Sequence, residues 1–210
     1  MTLGQRFARL VTNLVTRFPV LWRLFRGPLT RNFDRLAPTW DSLRVTERYL
    51  SPMQVALAAV EPAPARVLDL GTGTGGGARL SAARWPDAEI VGVDLSSGMI
   101  AEARTRATSE RERYEVGDAS ALPFAEGSFD LVTLINMIPF FDELGRVAAP
   151  AGAVAIAFTR GAGTPIYVPF ARVDAELRRR GFSEIEHFEA GDGISLLARR
   201  PVADATFPRG

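Results

Sequence analysis

Cysteine is absent from this 210-residue chain, so neither a disulfide framework nor a thiolate metal site can form. Histidine occurs once, at His187, which excludes a multi-histidine metal site; no metal is expected. Lysine is absent too: all 25 basic residues are arginine, and a Schiff-base mechanism has no amine to use. No stretch approaches the roughly 18–20 consecutive apolar residues that span a bilayer. The N-terminus does not read as a secretory signal, because Arg6, Arg9 and Arg17 interrupt any apolar run. The expected location is the cytoplasm.

What is present fits one ordinary soluble domain with a full core: 47% apolar and 23% charged residues. The net charge of +1 hides an asymmetry. Residues 1–48 carry nine arginines against Asp34, Asp41 and Glu47, a net +6, whereas the remainder carries sixteen against twenty-one acids, a net −5. A basic arm on a mildly acidic body is either a solvated helical cap or a surface for something anionic.

In that arm, Leu3, Phe7, Leu10, Val11, Leu14, Val15 and Phe18 recur at helical spacing, which predicts an amphipathic helix. Pro19 interrupts it, Val20–Phe25 continues, and Gly27-Pro28 is expected to break the chain. A further helix is predicted over Trp40–Val60, with a bend at Ser51-Pro52. From Arg66 the pattern changes. Apolar runs predict strands at Arg66–Leu70, Glu89–Val93, Tyr114–Val116, Phe129–Ile135 and Ala153–Phe158, with helices near Gly77–Arg84, Ser97–Thr108 and Phe141–Val147 between them. Such alternation favours a mostly parallel sheet covered on both faces. A helix over Val168–Arg180, stopped by Gly181, precedes two strands, Glu184–Phe188 and Ile194–Ala198. Their short glycine-containing link implies an antiparallel hairpin at the sheet edge. The expected layout is an N-terminal cap or lid over 1–60, a core over 61–201 and a tail over 202–210.

The most informative stretch is Val67-Leu68-Asp69-Leu70-Gly71-Thr72-Gly73-Thr74-Gly75-Gly76-Gly77, a strand entering a glycine-rich turn and then a helix. Glycine allows a sharp turn and close approach of a ligand to the backbone, beside a helix N-terminus. Nineteen residues after Gly75 the next strand ends in Asp94, whose carboxylate can accept from both hydroxyls of a ribose. Capping of the next helix is the alternative role for Asp94, although Ser96 or Ser97 could serve there.

Both NAD(P) and S-adenosylmethionine (SAM) would use such a carboxylate. A dinucleotide site carries Gly-x-Gly-x-x-Gly and seats a pyrophosphate on the helix. Here the spacing is Gly71-x-Gly73-x-Gly75, with Asp69 two residues upstream. An acid there would repel pyrophosphate by about 1–4 kcal/mol at 4 Å, depending on the local dielectric. It suits a ligand with a sulfonium and an ammonium, so SAM is the expected cofactor.

The segments VLDLGTGTGGG, VGVDLSSGMIAEAR and GDASALPFAEGSFDLV resemble the class I SAM-dependent methyltransferases, in particular the small-molecule branch with the ubiquinone and menaquinone methyltransferases. Phe33-Asp34-Arg35-Leu36-Ala37-Pro38-Thr39-Trp40-Asp41 is similar to the opening segment of that branch. The resemblance implies a doubly wound α/β, Rossmann-like sheet of seven strands with an antiparallel edge, and transfer of a methyl group to a small-molecule acceptor. It sets Gly71, Gly73 and Gly75, with Asp69 and Thr72 in the same loop, against the methionine part and ribose. Asp94 would hold the ribose, while Leu95 and Met99 pack on the adenine. Asp118 would accept from the adenine amino group, the Ala119 backbone would donate to the ring, and Asn136 would lie at the mouth.

The chain departs from the family after the fourth strand, where the segment is short and the turn reads Arg146-Val147-Ala148-Ala149-Pro150-Ala151-Gly152. No catalytic base emerges. His187 reads as a structural or surface residue on a C-terminal strand, and Tyr167 is only a candidate acceptor contact. A SAM-binding protein without transfer activity and an RNA methyltransferase, suggested by the basic arm, are the alternatives, with nucleic acid the weaker partner. Peripheral contact of the basic amphipathic helix with an anionic membrane is a further alternative to a lid.

Overall fold

The computed structural model describes residues 3–44 and 47–201. The predicted tail and residues 45–46 of the predicted Trp40–Val60 helix lie outside the described residues.

Seven strands form one sheet: β1 (Arg66–Leu70), β2 (Glu89–Asp94), β3 (Glu112–Val116), β4 (Phe129–Ile135), β5 (Ala148–Phe158), β6 (Glu184–Ala190) and β7 (Gly193–Arg199). Their order is β3-β2-β1-β4-β5-β7-β6. The first five are parallel, and β7 enters antiparallel between β5 and β6. The sheet reverses direction at β1 and β4, so the ligand crevice of such a fold lies at the carboxyl ends of these strands.

The period-2 alternation of the strands sorts their side chains into two cores. Leu68, Leu70, Val132, Leu134, Val154, Ile156 and Phe158 fill one face, and Val67, Leu131, Ala153, Ala155, Ala157 and Leu197 the other. Three alanines on one face of β5 let a helix lie close there.

The helices are α1 (Leu3–Arg17), α2 (Trp22–Leu36), α3 (Trp40–Arg44), α4 (Glu47–Ala58), α5 (Gly76–Arg84), α6 (Ser97–Thr105), α7 (Phe141–Val147) and α8 (Phe170–Arg178). Short 3-10 turns at Pro19–Leu21 and Ala37–Thr39 join the first three. The expected break at Gly27-Pro28 does not occur, and α2 runs straight through Pro28. Proline costs the helix one N–H bond, to the carbonyl of Leu24. Leu24 and Pro28 are both exposed, a setting in which a lost backbone bond costs least. Pro52 likewise stays inside α4, and the Arg48 carbonyl it cannot serve accepts the Ser51 hydroxyl at 3.0 Å.

The 1–60 segment divides in two. Through Met53, Ala56 and Leu57, α4 is buried with β1, β4 and β7, and so belongs to the sheet's covering layer. Residues before it cross the carboxyl ends of the strands, as the next contacts show. No helix among the described residues is long and apolar enough to cross a membrane.

Candidate functional site

The β1 loop folds as its glycines demand. Gly71, Gly73 and Gly75 have φ of +63°, +55° and +85°, a region in which a side chain is strained. At the start of α5, a Cβ on Gly77 would come 2.8 Å from Asp69 Oδ1, so glycine there lets the helix settle onto that carboxylate.

Asp69 turns into the protein. Its oxygens accept from the hydroxyls of Thr72 and Thr133, each at 2.7 Å, and it is 2% exposed. Burial pushes its carboxyl up to about 6, against those hydroxyls and the Ala78 N–H, which pull it down. It therefore braces the loop from below, where the sequence reading had it in the ligand's own contact set.

Asp94 ties the loop to the next strand. One oxygen accepts from the Gly73 N–H and the other from the Ser96 N–H, both at 2.9 Å. Ser96, not Asp94, takes the α6 capping position, with its hydroxyl accepting from the Met99 N–H. Burial raises the Asp94 carboxyl, while the N–H groups of Ser96, Gly73 and Leu95 oppose that shift.

Asp118, just after β3, accepts from the Ser120 N–H at 2.9 Å and hydroxyl at 2.7 Å, and from Trp22 Nε1 at 2.9 Å. Arg26 pairs with its second oxygen at 3.1 Å. Partial burial raises this carboxyl, but the four donors outweigh it and hold it below its ordinary value.

Trp22 and Arg26 introduce a layer that motif reading missed. Asp34 accepts from the Ser96 hydroxyl at 2.6 Å and the Gly98 N–H at 3.0 Å. Asp41 accepts from the Thr74 hydroxyl and pairs with Arg106 at 3.0 Å. The Trp40 indole lies beside Gly73, 3.7 Å from where a Cβ would stand. Residues 22–41 thus touch the loops after β1, β2 and β3 in turn. The aromatic and acidic positions of the 33–41 segment were the available signal; nothing in the sequence marked Trp22 or Arg26.

Three candidate contacts are placed differently from expectation or are covered. Asn136, at φ +51°, spends its amide on Thr159: Nδ2 donates to the hydroxyl at 2.8 Å and Oδ1 accepts the Thr159 N–H at 2.9 Å. In this structure its amide caps a strand end. Met99 is 1% exposed and Ala119 is buried, so both lie beneath surface layers. Leu95 stays partly exposed at the end of β2.

The remaining wall is apolar. Met137 lies over Gly71, where a Cβ would meet its Cγ and Sδ at 2.9 Å. Trp22 packs edge-on against Phe140 at 5.4 Å, and Tyr167 against Phe158 at 5.2 Å. Arg9 lies over the Tyr167 ring and binds the carbonyls of Ala162, Thr164 and Pro165, fixing the loop after β5. His187 is elsewhere. It pairs with Asp174 at 3.0 Å on β6, four strands from β1, roughly 19 Å away at ordinary strand spacing.

A switch-point crevice with a glycine loop, a strand-end carboxylate bound to that loop and a second carboxylate one strand further on defines a Rossmann-like nucleoside-binding protein. The comparisons narrow the class. Residues 67–155 match the methyltransferase domain family. The chain is 37% identical over 137 residues to the demethylmenaquinone methyltransferase of Thermus thermophilus, covering 59% of this chain and 62% of that one. It is 30% identical over 193 residues to the ubiquinone/menaquinone biosynthesis C-methyltransferase of Desulfotalea psychrophila, covering 86% and 72%. Among solved structures, the [4+2]-cyclase SpnF superposes with a TM-score of 0.65 at 19% identity, covering 83% of this chain and 96% of that one. That last likeness concerns the fold alone. The chain belongs to the class I SAM-dependent methyltransferases. It spans less than two thirds of the Thermus relative's length.

Proposed function

We propose that this protein transfers the methyl group of SAM to a small apolar acceptor by in-line displacement. One observation carries the reading most. Asp69 is buried and Asp94 half-buried, burial raises both carboxyls, and among the described residues neither forms an ion pair with an arginine. A cationic ligand at the β1 loop is attracted by Asp94 directly and by Asp69 from beneath the loop, whereas a pyrophosphate would be repelled by both. The residues present therefore suit a sulfonium nucleoside.

When bound, SAM supplies a methyl group already activated by the positive charge on sulfur. The protein's part is then orientation and exclusion of water. Asp94 is positioned to accept from ribose hydroxyls beside the Gly73 N–H. Asp118 is positioned to accept from the adenine amino group once Trp22 and Arg26 yield. The Met137, Ile138, Phe140 and Tyr167 wall offers contacts to a flat apolar acceptor and no general base. An acceptor of the quinone-precursor kind, to which the names of both relatives point, fits such a wall.

Calorimetry with SAM, S-adenosylhomocysteine and NAD tests the cofactor, and labelled-methyl transfer to demethylated quinols tests the reaction. Binding of SAM without transfer to any small molecule would favour the second reading, a SAM-binding protein without transferase activity. The lack of a carboxylate or histidine in the Met137, Ile138, Phe140 and Tyr167 wall supports that alternative. An RNA acceptor would require association that weakens steeply with salt.

A further inference from the structure

The apolar arc of α1 is wider than the face it buries. Val11 and Val15 enter the core, while Phe7 and Leu10 stay half exposed on the outer side beside Arg6 and Arg17. The effect is strongest at the tip where α1 turns into α2. Phe18 is 51% exposed, Val20 71% and Leu24 68%, and exposed Arg17 and Arg23 bracket them. Exposed apolar side chains clustered in this way on a soluble fold mark a contact surface.

Charge identifies the occupant. Residues 1–33 hold six arginines and no acid, the first carboxylate being Asp34. Arg9 and Arg26 are used inward, on the 162–165 carbonyls and on Asp118. Arg6, Arg17, Arg23 and Arg31 are exposed, Arg17 and Arg23 at the apolar tip and Arg6 and Arg31 further along the two helices. We propose that this helical hairpin tip docks on an anionic lipid bilayer, with Phe18, Val20 and Leu24 entering the acyl boundary and the arginines meeting the headgroups. Aromatic and aliphatic residues flanked by arginine on a short helical pair suit an interfacial element that does not span. The tip also adjoins the apolar wall, since Trp22 packs on Phe140, so a lipid-dissolved acceptor would arrive beside it. The docking itself does not depend on the methyl-transfer reading.

The test is flotation of the full chain with phosphatidylcholine vesicles and with vesicles that also contain phosphatidylglycerol. The protein is expected to float with the anionic vesicles alone. The paired change Val20→Asp with Leu24→Asp should abolish flotation. Arg17→Gln and Arg23→Gln should each weaken it roughly five-fold. Val55→Asp, on an exposed face of α4 away from the tip, should leave it unchanged. Unchanged melting temperatures would show that the tip variants fold. The proposal fails if anionic vesicles do not retain the protein, or if the paired aspartates leave retention intact. It also fails if sedimentation finds a dimer that the paired aspartates dissociate while neither form floats, since the tip would then bind a second copy. Calorimetry with SAM on the same samples reports separately on the methyl-transfer reading.

Discussion

The two parts of this molecule are held by different forces. The sheet and its helices are closed by alternating apolar side chains, with Leu134, Val154, Phe158 and Leu197 fully buried. Residues 22–41 pack Trp22, Phe25 and Leu29 on the core's rim, and add polar contacts at the sheet's carboxyl edge: Trp22 and Arg26 on Asp118, Asp34 on Ser96 and Gly98, and Asp41 on Thr74. Buried apolar contacts fail only with the whole fold, whereas half-exposed hydrogen bonds exchange with water at small cost. The difference sets the sheet apart as a scaffold and residues 22–41 as a layer fastened to its edge.

The sharpest way to break this contrast is inside the sheet. Phe158→Ala should cost about 3–5 kcal/mol in denaturant unfolding. A loss below 1 kcal/mol would mean that the core is less closed than its burial indicates. Next, Asp94→Ala should weaken SAM binding about 100-fold by calorimetry, the worth of one or two charge-assisted bonds. Full affinity in that variant would remove the cofactor assignment.

Asp69 supplies a pH test. Its folded carboxyl, at about 6, lies above the ordinary 3.8, so the folded protein holds a proton there that the unfolded chain releases. The stability this contributes is complete below pH 4 and lost as pH rises through 6, an amount of up to about 3 kcal/mol. Asp69→Asn lacks the titration, so its stability relative to the parent should improve by that amount between pH 4 and 7. A flat difference would place the group at its ordinary value.

The smallest effect is expected at the lid. Arg26 is half exposed, so Arg26→Ala should change stability by less than about 1 kcal/mol. Stopped-flow binding of SAM should nevertheless become faster. An unchanged association rate would detach the Asp118 contact from access to the site.

Much of the scaffold was legible because its signals are local. Alternation located β1 and β4 at their observed ends, and the glycine loop followed by Asp94 located the crevice. The C-terminal helix ends at Arg178, two residues before the expected Arg180, with Gly181 at φ +88° in the turn that follows, and a two-residue turn closes the hairpin. Errors arose where context overrode a local cue. Pro28 sits in a helix at an exposed position, where losing one backbone bond is tolerated. Ala148–Gly152, which looked like a turn, extends β5 because Ala148 pairs with Phe129 across a bulge. Trp22 and Asp118 lie 96 positions apart, and no spacing rule links residues at that distance. The Asn136 amide meets Thr159, which follows a different strand, so no local spacing showed that contact.

Residues 22–41 are fastened at three separate places, over the ends of β1, β2 and β3. If the fastenings let go independently, the chance of all being loose together is the product of three probabilities. Each is weak alone, yet the fully open state would be rare. Loosening any one would multiply its frequency, so a single substitution far from the methyl group could set the pace of turnover.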